Sequence, residues 1–381
     1  MKVLLLITRA ELGGGQTHVL DLLRGFRERF DVELGTGGRG FLTEAAERLG
    51  VRWHLLPNLV QPMRPWRDVH ALAECYRLIR KVRPDIVHAH TSKAGVIGRL
   101  AARLAGVPTV FTAHTWCFAE ATSWMWKAVG TPLERLAATC SSRIITVSEA
   151  NRGLALRHQV AQPEKLVTVH NGIEDTSFRA KPGECTVPRI VMVARFSEQK
   201  AQSLLIEAVA GIRQPFRLVL VGDGPTRAAV EAQVERCGLT ERVEFAGNRR
   251  DIPEILADSH IFALFTRWEG FPISILEAMR SGLPVVASDV NGVNEAVSHW
   301  DTGFTVAPGD VAGFRERLEL LLGDPSLRER MGDASRKRFE KEFTVERMLW
   351  RTAEVYREAM WPSLEPVPTQ APAPAQRASG T

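Results

Sequence analysis

The stretch HIFALFTRWEGFPISILEAMRSGLPVVASDV, residues 260–290, is the most informative part of the sequence for the fold. Two short apolar runs, HIFALFT and PVVASDV, have the composition of strands, and an apolar helical segment lies between them. A Gly-Phe-Pro turn begins this helix, and two carboxylates, Glu269 and Glu277, stand eight positions apart around it. A strand, a helix and a second strand in this order predict a parallel α/β sheet.

The same alternation continues through most of the chain. Runs of strand composition extend from KVLLLIT to LVTVHNG in the first half and from RIVMVARF to GFTVAP in the second, mostly separated by helical segments. We therefore expect an α/β protein with two Rossmann-like domains, whose parallel sheets face each other across a cleft. Open α/β sheets bind ligands at the carboxyl ends of their strands, and most of the polar turns that separate strands from helices in this sequence fall there.

The domain boundaries follow from composition. Residues 179–190, RAKPGECTVPRI, contain two prolines and a glycine and predict a linker. The N-terminal domain should cover 1–180 and the C-terminal domain 186–343, with a helix at about 344–360 that packs back on the first domain. The tail, 362–381, is rich in proline and alanine and has no apolar period, which predicts disorder.

Length and composition exclude several protein classes. The 381 residues are 45% hydrophobic, which is enough to bury sizeable cores. The five cysteines are scattered and never spaced C-x-x-C, which argues against a disulfide framework or a cysteine zinc site. The first apolar run ends at Ile7, too early for a signal peptide, and no stretch approaches the roughly 18 apolar residues of a membrane span. A cytoplasmic protein is expected.

The net charge of +5 is unevenly distributed. Residues 1–180 contain 24 Lys and Arg against 16 Asp and Glu, a net charge of +8, and the remainder carries −3. Each arginine taken singly fits a solvated helix face. Together they also fit an anionic membrane surface or a phosphorylated ligand.

Two glycine-rich turns resemble nucleotide-binding loops but fail the dinucleotide pattern. Glycines 13–15 follow the first strand, where they allow a ligand close to the backbone at a helix N-terminus. The third glycine of G-x-G-x-x-G is replaced by His18 here and by Arg227 in VGDGPTR. A hydride-transferring dehydrogenase is therefore disfavoured.

Charged residues also follow the strands of the second half. Arg195 lies near the end of the run RIVMVARF, and Lys200 follows the run. They offer a planar fork and a mobile point charge for phosphate, although strand-end cations are often merely exposed. Gly270 and Phe271 leave backbone N–H groups at the positive end of the next helix. Glu277 is surrounded by apolar residues, so a solvated position is harder to arrange for it.

Taken together, these motifs resemble those of a known family. EGFPISILE resembles the E-x7-E signature of retaining glycosyltransferases of family 4, which have the GT-B fold. The glycine loop, TAH at 112–114, VSE at 147–149, HNGIEDTSF at 170–178, VGDGP and SGLPVVASDVNGVNEAV occur in the family order. The resemblance covers residues 2 to about 360. It implies a hexosyltransferase that moves a sugar from a nucleotide-sugar, most simply a UDP-sugar, to a glycan or lipid-linked saccharide with retention.

The resemblance also implies roles for individual residues. Glu277 matches the acid that accepts hydrogen bonds from the donor ribose, and Glu269 matches the acid that contacts sugar hydroxyls. Arg195 and Lys200 match the basic pair on the diphosphate, and His114 matches the histidine beside the transferred sugar. A satisfied buried histidine is the alternative for His114. The remaining donor-side residues implied are Gly14, Gly15, Gly270, Phe271 and Glu295.

The chain departs from the family pattern at two places. Lys200 is followed by Ala201 where glycine is usual, and Asn291-Gly292 replaces a paired glycine. These changes affect the geometry of phosphate-binding loops but remove no charged group.

The acceptor side is implied by VHAHTSKAGVIGRLAARLAGVP, residues 87–108, which resembles members that build capsule or exopolysaccharide on lipid carriers. His90, Ser92 and Lys93 could meet an acceptor phosphate there, or simply begin a helix. Three tryptophans follow between Trp116 and Trp126. Aromatic residues usually pack in cores, but these also fit an interfacial surface for a lipid-linked acceptor, with peripheral contact to an anionic membrane.

Two other functions remain open. A UDP-sugar 2-epimerase shares the fold, and a non-catalytic sugar-nucleotide-binding protein is the candidate from another class. No D-x-D triplet occurs, and the nearest acidic cluster is Glu174-Asp175, so we expect no metal and no cofactor beyond the nucleotide-sugar co-substrate. No nucleic-acid partner is expected.

Overall fold

The computed structural model describes residues 1–361 except 12, 62–63, 117 and 119–123, and it leaves out the side chains of 124–127. The tail, 362–381, lies outside the described residues, so its disorder stays a prediction. The chain divides into two compact units. The first comprises Met1–Glu174 and the segment from Val345 onward, and the second comprises Asp175–Thr344.

The first unit is built on a seven-stranded parallel sheet in the order β3-β2-β1-β4-β5-β6-β7. Its strands are β1 Lys2–Ile7, β2 Asp31–Thr36, β3 Arg52–Leu55, β4 Ile86–His90, β5 Thr109–Ala113, β6 Arg143–Thr146 and β7 Leu166–Thr168. Its helices are α1 Gly14–Phe26, α2 Phe41–Arg48, α3 Pro65–Val82, α4 Ser92–Ala105, α5 Trp124–Thr139, α6 Glu149–Arg157 and, from the end of the chain, α14 Val345–Met360.

The second unit has a six-stranded parallel sheet in the order β10-β9-β8-β11-β12-β13. Its strands are β8 Arg189–Val193, β9 Arg217–Val221, β10 Val243–Gly247, β11 Ile261–Leu264, β12 Val285–Ser288 and β13 Gly303–Val306. Its helices are α7 Gln202–Ala210, α8 Arg227–Arg236, α9 Ile252–Ala257, α10 Ile273–Ser281, α11 Val293–Ala296, α12 Val311–Gly323 and α13 Pro325–Glu342.

The predicted architecture of two Rossmann-like parallel sheets is confirmed. Each run of strand composition forms a strand, and central strands such as β4, β5, β11 and β12 are buried along their whole length. Helices cover both faces of a parallel sheet, so its strands are apolar on both sides and form continuous runs rather than alternating patterns. This is why short continuous apolar runs identified the strands in the sequence.

The boundary between the units lies earlier than the predicted linker. Asp175 accepts hydrogen bonds from Arg336 of α13 at 2.6 and 2.7 Å, and the backbone N–H of Ala180 donates to Ser281 at the end of α10. These contacts assign residues 175–180 to the second unit. The chain then returns to the first unit, where Tyr356 of α14 bonds a buried histidine of β4.

Within the described ranges, no helix is both long enough and apolar enough to cross a membrane.

Candidate active site

The two glutamates of the opening stretch lie in the second unit on either side of the start of α10. Glu269 is in the loop after β11, and its Oε1 lies 2.5 Å from Nζ of Lys200. The hydroxyl of Thr266 donates to the same oxygen at 2.8 Å. Only 7% of the Glu269 side chain and 18% of the Lys200 side chain are exposed, so water screens this ion pair weakly.

Glu277 is the fifth residue of α10 and is half-buried. Burial raises the pKa of its carboxyl to about 7, although the positive charge of Arg280 acts in the opposite direction. The carboxyl therefore changes charge near neutral pH. A group with such a pKa is common at functional sites.

The loop that carries Arg195 is held by two glycines of VGDGP. Arg195 is exposed just beyond β8. Gly222 and Gly224 have φ of +132° and +156°, and a Cβ on them would lie 2.1 and 2.2 Å from the carbonyl oxygens of Ala194 and Phe196. No side chain fits in this space. VGDGP thus supports the Arg195 loop through backbone packing.

A third glycine supports the turn at the start of α10. Gly292 has φ of +77°, and a Cβ there would lie 1.9 Å from the carbonyl oxygen of Gly270. Phe271 is buried, with its ring 5.5 Å from that of Phe343. Glu295 is half-buried in the short helix α11. Of the glycine pair usual in the family, Gly292 is therefore the member that the packing requires.

Ala201 shows the cost of the other departure from the family pattern. It has φ of +39° at the N-cap of α7, in the left-handed region that glycine adopts without strain. Position 201, next to Lys200, thus keeps the backbone conformation that favours the glycine usual in the family. The backbone of Ala201 is strained in this conformation.

The first unit gathers histidines at the carboxyl edge of its sheet. His90 ends β4, His114 follows β5, and His18 lies on α1, with ring centroids 4.9 to 5.6 Å apart. His90 Nδ1 is 3.4 Å from His114 Nε2, and His18 Nδ1 is 3.1 Å from Oδ1 of Asn171. Gly15 packs on His114, because a Cβ there would lie 3.5 Å from the ring.

Two members of this cluster, His18 and His88, were not predicted from the sequence. His88 is two residues before His90 on β4, so the VHAH alternation puts both on one face of the strand. Its nitrogens contact the Tyr356 hydroxyl at 2.6 Å and the Thr112 hydroxyl at 2.7 Å. The alternation was a usable signal for His88, whereas nothing local pointed to His18.

The histidines of the cluster are neutral at physiological pH. Burial lowers the pKa of His18 to about 4, although its bond to Asn171 acts the other way. Burial lowers the pKa values of His88, His90 and His114 well below the ordinary value, and the neighbouring histidines lower them further.

The start of α4 holds two of the predicted acceptor residues, Ser92 and Lys93, whereas His90 is fully buried at the end of β4. Ser92 is exposed, and Lys93 Nζ lies 2.5 Å from Oδ1 of Asp68 on α3. Thr91 has φ of +66°, unusual for a β-branched residue, and its hydroxyl is 2.8 Å from that of Thr8. Backbone strain of this kind occurs mostly at functional sites.

A cavity of about 770 Å³ extends from this helix start into the first unit. Its walls are largely apolar and include Val69, Leu72, Val96, Ile97, Leu100, Phe111 and Leu133. Its polar end includes Ser92, Lys93 and His114. The cavity therefore suits a molecule with one apolar and one polar part.

Trp116 does not lie on a surface, contrary to the interfacial hypothesis. Only 2% of it is exposed, its ring stacks on Phe118, and its indole N–H donates to the carbonyl of Asn151 at 2.9 Å. A buried indole with a satisfied N–H is a core residue. The side chains of Trp124 and Trp126 lie outside the described residues.

Each sheet contains the strand order 3-2-1-4-5-6, counted from the first strand of its own unit, which is the order of the Rossmann fold. Two such units in one chain form the GT-B fold of glycosyltransferases. Residues 12–177 match the model Glycosyltransferase Family 4, and residues 174–338 match Glycosyl transferases group 1. The chain belongs to glycosyltransferase family 4.

Individual relatives agree with this assignment. The UDP-Gal:alpha-D-GlcNAc-diphosphoundecaprenol alpha-1,3-galactosyltransferase of Escherichia coli is 31% identical, over 79% of this chain and 82% of the relative. EpsD of Bacillus subtilis, named as a glycosyltransferase, is 27% identical over 86% and 89%. The fold matches HepE of Anabaena, crystallised with UDP and glucose, with a TM-score of 0.82 and 23% identity over 94% of this chain and 100% of that one.

Proposed function

We propose that the protein transfers a hexose from a UDP-sugar to a lipid-linked saccharide, with retention at the anomeric carbon, during the assembly of a cell-surface polysaccharide. The observation that supports the donor side is the Lys200–Glu269 pair, with Arg195 in the loop after β8 and Glu277 on α10, which follows β11 of the same sheet. The name of the Escherichia coli relative, which specifies a UDP-sugar and a diphosphoundecaprenol acceptor, supports both substrates.

On the donor side, Lys200 serves two partners. Its ammonium group has three N–H donors, and one bond to Glu269 leaves two for a phosphate oxygen. Arg195 adds a planar fork for the same diphosphate. Lys200 and Arg195 together stabilise the negative charge that develops on the leaving group. This is the main catalytic contribution available here. We propose that this charge is met without a metal ion.

Glu269 and Glu277 recognise the sugar and the ribose of the donor, respectively. Glu269 is fixed by Lys200 and Thr266, so it can accept hydrogen bonds from sugar hydroxyls in one defined orientation. Glu277 accepts from the ribose when it is ionised. Retention then follows from displacement on the face of the departing phosphate, as in the family, and needs no covalent nucleophile.

On the acceptor side, the apolar cavity of the first unit takes the lipid part and the start of α4 takes the phosphate. A cavity of about 770 Å³ holds a few isoprene units, and Lys93 lies at its polar end. The N-terminus of the 14-residue helix α4 also favours an anion, although the N–H of Ala94 already donates to the Thr8 hydroxyl. An acceptor of this kind would bring the protein to the cytoplasmic face of the membrane.

Two leucines of α4 test the acceptor proposal. Leu100 lines the cavity, and Leu104, one turn later, is exposed. Leu100→Trp should raise KM at least tenfold for a long-chain polyprenyl diphosphate saccharide and leave KM for a short-chain analogue unchanged. Leu104→Trp is the matched control and should change neither. Equal effects of Leu100→Trp on both acceptors would contradict a lipid site in this cavity.

A transfer assay tests the function itself. The purified protein is incubated with a panel of UDP-sugars, with and without a lipid-linked disaccharide, and products are followed by NMR. An acceptor-dependent product with the donor's anomeric configuration is expected. A 2-epimer formed without acceptor would support the epimerase instead, and binding without turnover would support a regulatory protein.

A further inference from the structure

Three histidines of the first unit have the arrangement of a metal site. One ring nitrogen from each of His18, His90 and His114 lies within 4.8 Å of the others. Among the residues that the structure describes, this is the single group of histidine, cysteine or acidic side chains that meets the spacing for one ion. His88 differs from the three, because both of its nitrogens are hydrogen-bonded.

The hydrogen bond of His18 determines which of its two ring nitrogens carries the proton and which has a lone pair available for an ion. The amide oxygen of Asn171 can only accept, so His18 Nδ1 carries the proton. His18 Nε2 then has a free lone pair, and within the described part of the chain this buried atom has no hydrogen-bond partner. An oxygen that orients one imidazole nitrogen while the other binds the ion is the usual support of a metal-bound histidine.

The contact between His90 and His114 has the spacing of two ligands. His90 Nδ1 and His114 Nε2 are 3.4 Å apart, and two nitrogens bound at 2.1 Å to a tetrahedral zinc ion lie about 3.4 Å apart. Two neutral imidazoles at this distance share one hydrogen. An ion instead uses a lone pair from each ring, and each ring keeps its proton on its other nitrogen.

We propose that His18, His90 and His114 form a binding site for a divalent transition metal ion, specifically zinc, with its fourth position open to water. Imidazole nitrogens suit zinc rather than magnesium, which prefers oxygen. His114 is half-buried and lines the 770 Å³ cavity, which provides a path of entry.

Zinc at this site should inhibit the transferase. His114 is the residue expected beside the transferred sugar. An ion bound to its ring nitrogen would prevent that nitrogen from contacting the sugar. This consequence rests on the proposed function, whereas zinc binding does not. The two are separable because binding is measured without any substrate.

The test begins with untagged full-length protein that has been stripped with EDTA and dialysed. Addition of CoCl₂ should produce the visible absorption bands of tetrahedral cobalt without the near-ultraviolet band of thiolate ligation, and added ZnCl₂ should abolish them at one equivalent. His18→Gln should weaken zinc binding at least tenfold. His70→Gln, at an exposed histidine of α3, is the matched control and should bind as the wild type does.

Asn171 provides a variant that removes no ligand. Asn171→Ala should weaken zinc binding tenfold to a hundredfold, because the ring of His18 loses its orientation, and Asn171→Asp should restore binding. Near-ultraviolet circular dichroism verifies the fold of each variant. Absence of tetrahedral cobalt bands in the wild type, a thiolate band, or equal zinc affinity of wild type and His18→Gln would overturn the proposal.

Discussion

Nζ of Lys200 lies 2.5 Å from Oε1 of Glu269, so a cation expected on the donor diphosphate and an acid expected on the sugar form one ion pair. The two residues are 69 positions apart. Because each neutralises the other, a change at either position alters the charge that the donor meets. The roles of the two can nevertheless be separated by comparing UDP with a UDP-sugar.

Lys200→Met and Glu269→Gln should affect UDP binding differently. Loss of the ammonium removes charge-assisted bonds to phosphate and should weaken UDP binding by about 1.5 to 3 kcal/mol. Glu269→Gln frees Lys200 from its carboxylate partner, so UDP should bind at least as tightly as in the wild type. The same variant should lose the additional affinity that the sugar provides. Calorimetry with UDP and with a UDP-sugar measures these affinities. If Lys200→Met and Glu269→Gln weakened UDP binding equally, the division of roles would be refuted.

Binding of UDP should depend on pH through Glu277. The pKa of this carboxyl is raised to about 7, so the ionised form that accepts the ribose hydrogen bonds dominates at pH 8 and is the minor form at pH 6. Affinity for UDP should therefore fall about tenfold from pH 8 to pH 6. Glu277→Gln should keep only the smaller pH dependence that comes from protonation of the terminal phosphate of UDP. A wild-type affinity that does not change between pH 8 and pH 6 would contradict the role of Glu277.

The buried histidines should make the protein sensitive to acid. Burial lowers the pKa of His18 from 6.5 to about 4, so the unfolded chain binds the proton more readily than the folded chain. The stability that results is complete above pH 6.5 and is lost as the pH falls toward 4. For His18 alone the loss between pH 7 and pH 5 is about 2 kcal/mol.

Urea unfolding of the metal-free protein at pH 7 and pH 5 measures this loss. The difference between the two pH values should be smaller in His18→Gln than in the wild type. His70→Gln, at an exposed site, should retain the wild-type difference. An identical pH dependence of His18→Gln and wild type would show that His18 is not buried in its neutral form.

Transfer should persist in excess EDTA. Asp175 of the Glu174-Asp175 cluster accepts hydrogen bonds from Arg336. Burial acts to raise the pKa of Asp175, but Arg336 lowers it more, so the net shift is downward. Arg336 therefore already neutralises the charge of this carboxylate. Arg195 and Lys200 supply the charge that magnesium would supply. Activity lost in EDTA and restored by magnesium or manganese would show that an acidic residue serves as a ligand. Activity that rises in EDTA instead would fit removal of inhibitory zinc.

The sequence predicted the parts of the molecule that depend on local pattern. The strands, the turn at Gly270 and the helix that carries Glu277 all follow from apolar runs and turn residues. The family pattern also pointed to Ala201, whose positive φ explains why glycine is usual there.

What could not be predicted depends on contacts between distant residues. His18 and Asn171 are 153 positions apart, and no period or motif connects them. Trp116 was misjudged because a cluster of tryptophans looks the same in sequence whether it packs inward or outward, and only the contacts with Phe118 and Asn151 distinguish the two. The cavity beside α4 likewise depends on how three helices pack.

If Arg195 in the loop after β8 holds the donor diphosphate, titration of UDP into Arg195→Ala will measure the loss of that contact. The exposed Arg213→Ala, in the same unit, is the matched control. We predict that Arg195→Ala weakens UDP binding by about 1.5 to 3 kcal/mol, whereas Arg213→Ala binds as the wild type does. UDP affinity that is unchanged in Arg195→Ala, or equally reduced in both variants, would contradict the account.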